Sequence, residues 1–575
     1  PRWSNGGKQV LWLSTRDGLR SYANSGMRQS DVYTLFLTRD SWDKFRLSKD
    51  EYKLLKAIED KQKETKQKKD DDEKGKKGKD KKDNEKVDSS LKFDWEGIEY
   101  RTARLTTSSA DIADALLSKD GETLYYLARY DKGYNLWSMN IREKEAKILV
   151  EMDVDYAKLY WDKDEKNMFM LADGKIYKVD VDKGKREALK IAAELTVNTD
   201  AERQAMYEHV VIRTRKGFYT PTYHGIDWNF MAEHYRKFLP HIGNGFEFAE
   251  LLSELLGELN VSHSGARFYL NNPNGDQTAS LGIIPDVTYQ GQGIRVDEIL
   301  LGGPLDRKEL SLSTPFIITA IDGNTIGTDK DWAYYLNRKA DRYILLTLTE
   351  LSNGKERQVT VKPTNLSQES RLLYRRWVKR NADEVEKLSN GTLGYVHIPG
   401  MSDGPYRNIY GEMMGKYYDR SGVVVDTRFN GGGDLVSDLA MFFTGTKFIT
   451  YHNHVRELGS EPTFRWTKPT VALVNEANYS DGSCFACGYK QLGIGKLIGM
   501  PVPGTCSFAG WETLQDNQIR WGMVPVSAKD MYGVWMENVE AIPDYVIMNE
   551  PSVAPKGRDQ QLEKAIKALM EATVK

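Results

Sequence analysis

The sequence predicts a multidomain chain. An all-β, propeller-like N-terminal part is followed by a small helical domain, a compact β-rich domain and a C-terminal α/β domain. Three observations carry this. In the first third, a polar turn leading into a strand recurs at a spacing close to roughly 40–45 residues, the size of one four-stranded unit. Two amphipathic helical stretches come next. The last third combines continuous apolar, strand-like runs with helix-compatible segments, as an α/β domain does.

Residues 1–195 are strand-rich. The stretch Ser118-Lys119-Asp120-Gly121-Glu122-Thr123-Leu124-Tyr125-Tyr126-Leu127 echoes Ser4-Asn5-Gly6-Gly7-Lys8-Gln9-Val10-Leu11-Trp12-Leu13, and a decayed third copy begins near Asp162. A second strand, such as Tyr134-Asn135-Leu136-Trp137-Ser138-Met139, follows the first. A plain antiparallel sandwich is the alternative. Too few repeats are present to close a ring, so further residues upstream are expected. The insertion Lys61–Lys86 is almost wholly charged and lacks aromatics. It cannot bury enough apolar surface to fold alone. Its mixed signs favour a solvated helix or loop over a docking arm for acidic partners.

Residues 196–279 read as helical, with helical periodicity in Trp228–Leu239 and Phe246–Leu259. Gly257 falls near the end of the second helix, and the chain then delivers Ser262 and His263. Residues 280–365 look like a PDZ domain. Strands are expected at Ile294–Ile299, Phe316–Ile321 and Tyr343–Thr349, an Asp322-Gly323 hairpin follows the second, and a helix begins at Trp332. PDZ domains capture peptide C-termini by strand addition. No intact carboxylate-binding loop is legible here, so a ligand-free spacer stays open. Residues 366–575 form the expected α/β domain, with strands at Gly394–Ile398, Gly422–Asp426 and Thr470–Val474. Pro469 is tolerated at the entry of the last of these, and Leu492–Gly499 supplies the next turn and strand.

Asn475-Glu476-Ala477-Asn478-Tyr479-Ser480-Asp481-Gly482-Ser483 links an apolar strand to a helix. A serine at such a turn can expose its hydroxyl beside backbone N–H groups aimed at an oxyanion. Ser-Asp-Gly is equally an ordinary turn and cap sequence. Three further segments shift the balance: Leu255–Gly265 with Ser262 and His263; Val423–Gly433, a strand ending in Gly431-Gly432-Gly433; and Gly533–Asp544 with Glu537. The four segments, in this order, resemble the catalytic half of the tricorn protease family, a branch of the serine peptidases that includes the C-terminal processing (tail-specific) proteases. The resemblance covers roughly residues 200–560, and the propeller-like features, with Phe93–Arg101 as a blade opening, extend it toward the N-terminus. It implies a serine endopeptidase or oligopeptidase with Ser480 as nucleophile, His263 as general base, and Ser262 and Glu537 orienting and polarising the histidine. It also implies an oxyanion hole from the N–H of Asp481 and one from the glycine turn, with Gly432 favoured and its neighbours open. Ser483 is the rival nucleophile. A catalytically decayed peptide-binding or scaffolding protein is the alternative function.

Composition bounds the rest. The chain has 575 residues and a net charge of −2, so there is no whole-chain argument for nucleic-acid binding. No run of about 18 apolar residues is present, so no membrane span is expected. The three cysteines cannot build a disulfide framework, and Cys484 and Cys487 lack the partners of a metal or redox site, so they are expected as small buried hydrophobes. His452 and His454 have no evident third ligand. Neither metal nor cofactor is expected. Peptides or unfolded polypeptides are the expected partners. The resemblance implies a homo-oligomer in the cytoplasm, with a periplasmic or secreted location as the alternative.

Overall fold

The computed structural model describes residues 1–20, 28–74, 91–270, 272 and 274–574. The chain divides into two compact units, Pro1–Thr196 and Val197–Lys575.

The first unit is built of three successive four-stranded antiparallel sheets. The repeated polar turn of the sequence joins the first two strands of each: Arg2–Ser4 to Gln9–Ser14, Asp111–Leu117 to Thr123–Arg129, and Ala157–Trp161 to Met168–Ala172. Strand Thr123–Arg129 explains the stacking. Leu124, Tyr126 and Ala128 point into a core shared with Leu11 and Val32 of the first sheet. Tyr125 and Leu127 point the other way, against Leu159, Met168 and Met170 of the third. The period-2 alternation of a strand thus supplies two cores from one sequence. The charged insertion is helical where it is described, over Lys49–Lys74, between the third and fourth strands of the first sheet. The rest of Lys61–Lys86 lies outside the described residues.

In the second unit, helices Thr199–Gly217, Trp228–Arg236 and Gly245–Gly257 begin at side-chain caps from Asn198, Asp227 and Asn244, which satisfy otherwise orphaned N–H groups. They bury Tyr207, Trp228, Phe248, Leu252 and Leu255 against Trp521 and Ile519. Those last residues belong to a three-stranded antiparallel sheet of Gly265–Phe268, Ile519–Ser527 and Ser507–Thr513. Residues far apart in sequence therefore share one core around the Ser262–His263 turn.

The compact β domain holds strands Ile283–Pro285, Ile294–Ile299, Phe316–Ile321, Ile344–Glu350 and Glu356–Val361 in one sheet around Val296, Ile318, Leu346 and Val361. Asp322 and Gly323, both at positive φ, make the expected two-residue hairpin to Asn324–Thr325.

The α/β domain has five parallel strands in the order Leu393–His397, Gly422–Asp426, Thr470–Val474, Lys496–Gly499 and Tyr545–Val546. The middle strands are wholly buried, as strands covered on both faces must be. Helix Gln560–Thr573 contributes Leu562, Ile566 and Leu569 to the core beside Val424, Val471 and Ile498. The Ser480 and glycine turns both leave the carboxyl ends of central strands, where open α/β sheets place ligand sites.

Candidate active site

Ser480 sits between strand Thr470–Val474 and helix Asp481–Gln491 with φ 56° and ψ −124°. A non-glycine residue held there is strained by about 1–3 kcal/mol, so its surroundings must impose the conformation. They do so through hydrogen bonds. Asn478 Oδ1 accepts from the Asn475 N–H at 2.9 Å, and Asn478 Nδ2 donates to Thr427 Oγ1 at 3.0 Å. Asn475 Oδ1 accepts from the Phe429 N–H at 3.0 Å, and the Tyr479 N–H donates to the Asn430 carbonyl at 2.9 Å. The serine turn is thus stitched to the glycine turn. The Ser480 N–H itself donates to Thr505 Oγ1 at 2.9 Å.

The glycine turn needs to lack side chains. A Cβ on Gly432 would lie 2.5 Å from the Ser480 Cβ, and one on Gly433 would lie 2.0 Å from the Met401 carbonyl oxygen. The Gly432 N–H donates to Asn430 Oδ1 at 2.8 Å. Among the described residues, the N–H groups of Gly433 and Asp481 make no hydrogen bond. Asp481 directly follows Ser480 in the chain, and the Gly432 N–H, the one favoured from the sequence, is engaged by Asn430 Oδ1. The reason is local: an asparagine two residues ahead closes an Asx-type turn onto Gly432, which a Gly-Gly-Gly string does not disclose.

His263 also has positive φ, 55°. Its N–H donates to the Tyr479 hydroxyl at 2.7 Å, and the two rings lie 4.6 Å apart. Behind it, Nδ1 is 2.7 Å from Ser262 Oγ. Ser262 Oγ donates to Glu537 Oε2 at 3.0 Å, and the Ser262 N–H donates to Oε1 at 2.7 Å. A carboxylate only accepts, so the single Ser262 proton goes to Glu537, and the His263–Ser262 contact must use a proton on Nδ1. Nε2 is left with its lone pair. Burial pushes the His263 pKa below its ordinary value, with the Glu537 charge opposing. Glu537 is 5% exposed. Among the described residues the Ser480 hydroxyl makes no hydrogen bond; its tie to His263 runs through the adjacent Tyr479.

Ser483 is 3% exposed, and its hydroxyl donates to the Pro503 carbonyl at 2.7 Å, a structural link. His452 lies on an exposed hairpin with Nε2 2.9 Å from Thr450 Oγ1. Among the described residues, no group of three or more His, Cys, Asp or Glu is placed to hold a metal ion. The expectation of free cysteines is corrected: Cys484 and Cys506 form a disulfide, while Cys487 is free and half-buried. The two bonded cysteines are brought together by the fold across 22 residues, a non-local pairing that spacing does not reveal. Sequence reading did not single out Tyr479, Thr505 and Ser507, whose side chains meet His263, Ser480 and Glu537 respectively.

Comparison with known proteins agrees with this architecture. Residues 199–257 match the Tricorn protease C1 domain, and residues 392–547 match Peptidase family S41. The tricorn protease of Thermoplasma volcanium is 28% identical over 517 residues, covering 83% of this chain and 48% of that protein. A tricorn protease homolog of Saccharolobus solfataricus is 29% identical over 359 residues, 60% of this chain and 32% of that protein. The chain thus spans half or less of the length of these relatives. A crystal structure of the tricorn protease superposes with a TM-score of 0.78 at 19% identity, covering 100% of this chain and 55% of that one, and so shares its fold. With the two domain matches in this order, the chain is similar to the tricorn proteases, with a segment like their C1 domain followed by one like the family S41 peptidases.

Proposed function

We propose that this chain is a serine peptidase of the tricorn type, cleaving peptide bonds in oligopeptides or unfolded polypeptides through an acyl-enzyme. The observation that carries the reading is the proton order of the relay from His263 Nδ1 through Ser262 to Glu537, which leaves Nε2 as the basic atom. In this mechanism the substrate carbonyl enters between Ser480 and the free N–H groups. His263 Nε2 removes the Ser480 proton as the hydroxyl attacks, then returns it to the leaving amine. Water repeats the cycle on the ester. Glu537 stabilises the imidazolium through Ser262. The Asp481 and Gly433 N–H groups hold the oxyanion, each worth roughly 2.7–4 kcal/mol of transition-state stabilisation. The Ser480–His263 hydrogen bond is expected to tighten in the substrate complex, as such bonds commonly do.

Finer readings accompany this one. The three stacked sheets are proposed as propeller blades, 196–279 as a pre-catalytic domain, 280–365 as a PDZ-like peptide-binding module, and 366–575 as the peptidase domain. A homo-oligomer is proposed from kinship. Of the two locations considered, the Cys484–Cys506 bridge favours the periplasmic or secreted one, since disulfides persist in oxidising compartments. Among the described residues no helix is long and apolar enough to cross a membrane.

Peptide hydrolysis by the wild type and by Ser480→Ala tests the proposal. The variant should keep the wild-type fold by circular dichroism and lose roughly a thousand-fold or more in kcat. Hydrolysis unchanged in Ser480→Ala, or absent from a folded wild type, would favour the scaffolding alternative or another nucleophile.

A further inference from the structure

We propose that Ser507, backed by Ser527, is a positioning residue for this machinery, holding the Glu537 carboxylate in the one rotamer that serves Ser262 and His263. The inference rests on the serine-peptidase reading above and extends the relay by two hydroxyl groups. Ser507 Oγ donates to Glu537 Oε2, the same oxygen that receives the Ser262 proton. Both partners are buried, Ser507 at 6% exposed and Glu537 at 5%, so water does not readily replace a lost donor. The serine has one proton and Glu537 takes it. Ser527 Oγ, 2.9 Å away and directly opposite across the antiparallel pair, must then donate to Ser507.

The segment carrying Ser507 is itself fixed to both halves of the site. Thr505 Oγ1 accepts from the Ser480 N–H at 2.9 Å, and the Thr505 backbone bridges to Glu537. The Asn538 N–H donates to the Gly504 carbonyl at 2.8 Å. Cys506 is bonded to Cys484 on the helix that starts at Asp481. Three consecutive residues therefore register the Ser480 turn, its helix and the Glu537 carboxylate against one another. Ser507 touches neither Ser480 nor His263, so its effect passes through Glu537. Its signature is a fall in kcat with KM unchanged.

The test is a double-mutant cycle read by peptide hydrolysis and by the rate of fluorophosphonate labelling. Ser507→Ala should lower kcat and the labelling rate about ten-fold with KM unchanged, the scale expected for removing one hydrogen bond to a charged group. Ser507→Thr, which keeps the hydroxyl, should recover most of the loss. In a Glu537→Gln background the same Ser507→Ala change should cost less than about two-fold. Ser527→Ala, which leaves the Ser507 proton on Glu537, should give a smaller loss of the same kind and serves if Ser507→Ala does not fold. An equal loss in both backgrounds, a rise in KM alone, or no recovery in a folded Ser507→Thr would overturn the proposal. A wild type that neither hydrolyses peptides nor labels would overturn the peptidase reading instead, whereas a labelling enzyme indifferent to Ser507→Ala and Ser527→Ala would overturn only the role of Ser507.

Discussion

In the proposed mechanism His263 sets the pH range in which the site works. Its burial disfavours the imidazolium and lowers its pKa, and the Glu537 charge partly restores it. The neutral, basic form therefore persists below the ordinary histidine value of about 6.5. Activity, kcat/KM, should rise with pH along an acid limb whose midpoint lies below that value, because the limb reports the free-enzyme base. Glu537→Gln removes the opposing charge, so it should move the limb further down. It should also cut kcat far more than it raises KM, because an amide can donate to Ser262 and reverse the proton order of the relay. A limb centred above about 7, or a Glu537→Gln enzyme with unchanged kcat, would remove His263 or Glu537 from these roles. The sequence puts Ser480, Ser262, His263 and Glu537 forward as candidates because four ordered motifs mark them. Ser507 is not among them, because its contact with Glu537 arises only when the strand pair Ser507↔Ser527 folds beside that carboxylate. The engagement of the Gly432 N–H was equally hidden, in the Asn430 side chain.

Elements were legible where periodicity was strong. The buried strands Gly422–Asp426 and Thr470–Val474, helix Gly245–Gly257 and the Asp322–Gly323 hairpin stand where the sequence put them. Less legible was the sheet of Gly265–Phe268, Ile519–Ser527 and Ser507–Thr513, because its pairing spans over two hundred residues and no local pattern encodes register at that range. The disulfide is another such feature. It ties helix Asp481–Gln491 to the segment holding Ser480 and Glu537. Cys484→Ser with Cys506→Ser should lower unfolding stability by about 3 kcal/mol, as expected for a loop of this size. Denaturant titration with and without reductant checks this: reductant should destabilise the wild type and leave the double variant unmoved. Equal stability of the two proteins in oxidising buffer would show that the bridge contributes nothing. The charged helix is the opposite case. It extends Lys49–Lys74 with Leu54 and Ile58 exposed. Replacing Lys61–Lys86 by a short Gly/Ser linker should leave kcat/KM for a small peptide within a few-fold. The melting temperature should barely move, since shortening a loop changes closure entropy by only about 0.6 kcal/mol per halving. A large drop in melting temperature would make the segment structural.

At the scale of the whole molecule, the two units have separate hydrophobic cores. Every residue assigned to the chemistry, and both domain matches, lie in the second. The general plan, strands first and an α/β domain last, was readable from periodicity. The way in which the helical segment and strands Ser507–Ser527 share one core was not. In the proposed mechanism the second unit brings Ser262, His263, Ser480 and Glu537 into a single acyl-transfer site. Intact-mass spectrometry with peptide mapping after exposure to a fluorophosphonate, on the full chain and on residues 197–575 alone, tests this most directly. One adduct per chain is expected, on Ser480, in both proteins, and none in either once His263 is changed to alanine. An adduct on Ser483, or labelling of Ser480 that survives His263→Ala at the wild-type rate, would contradict it.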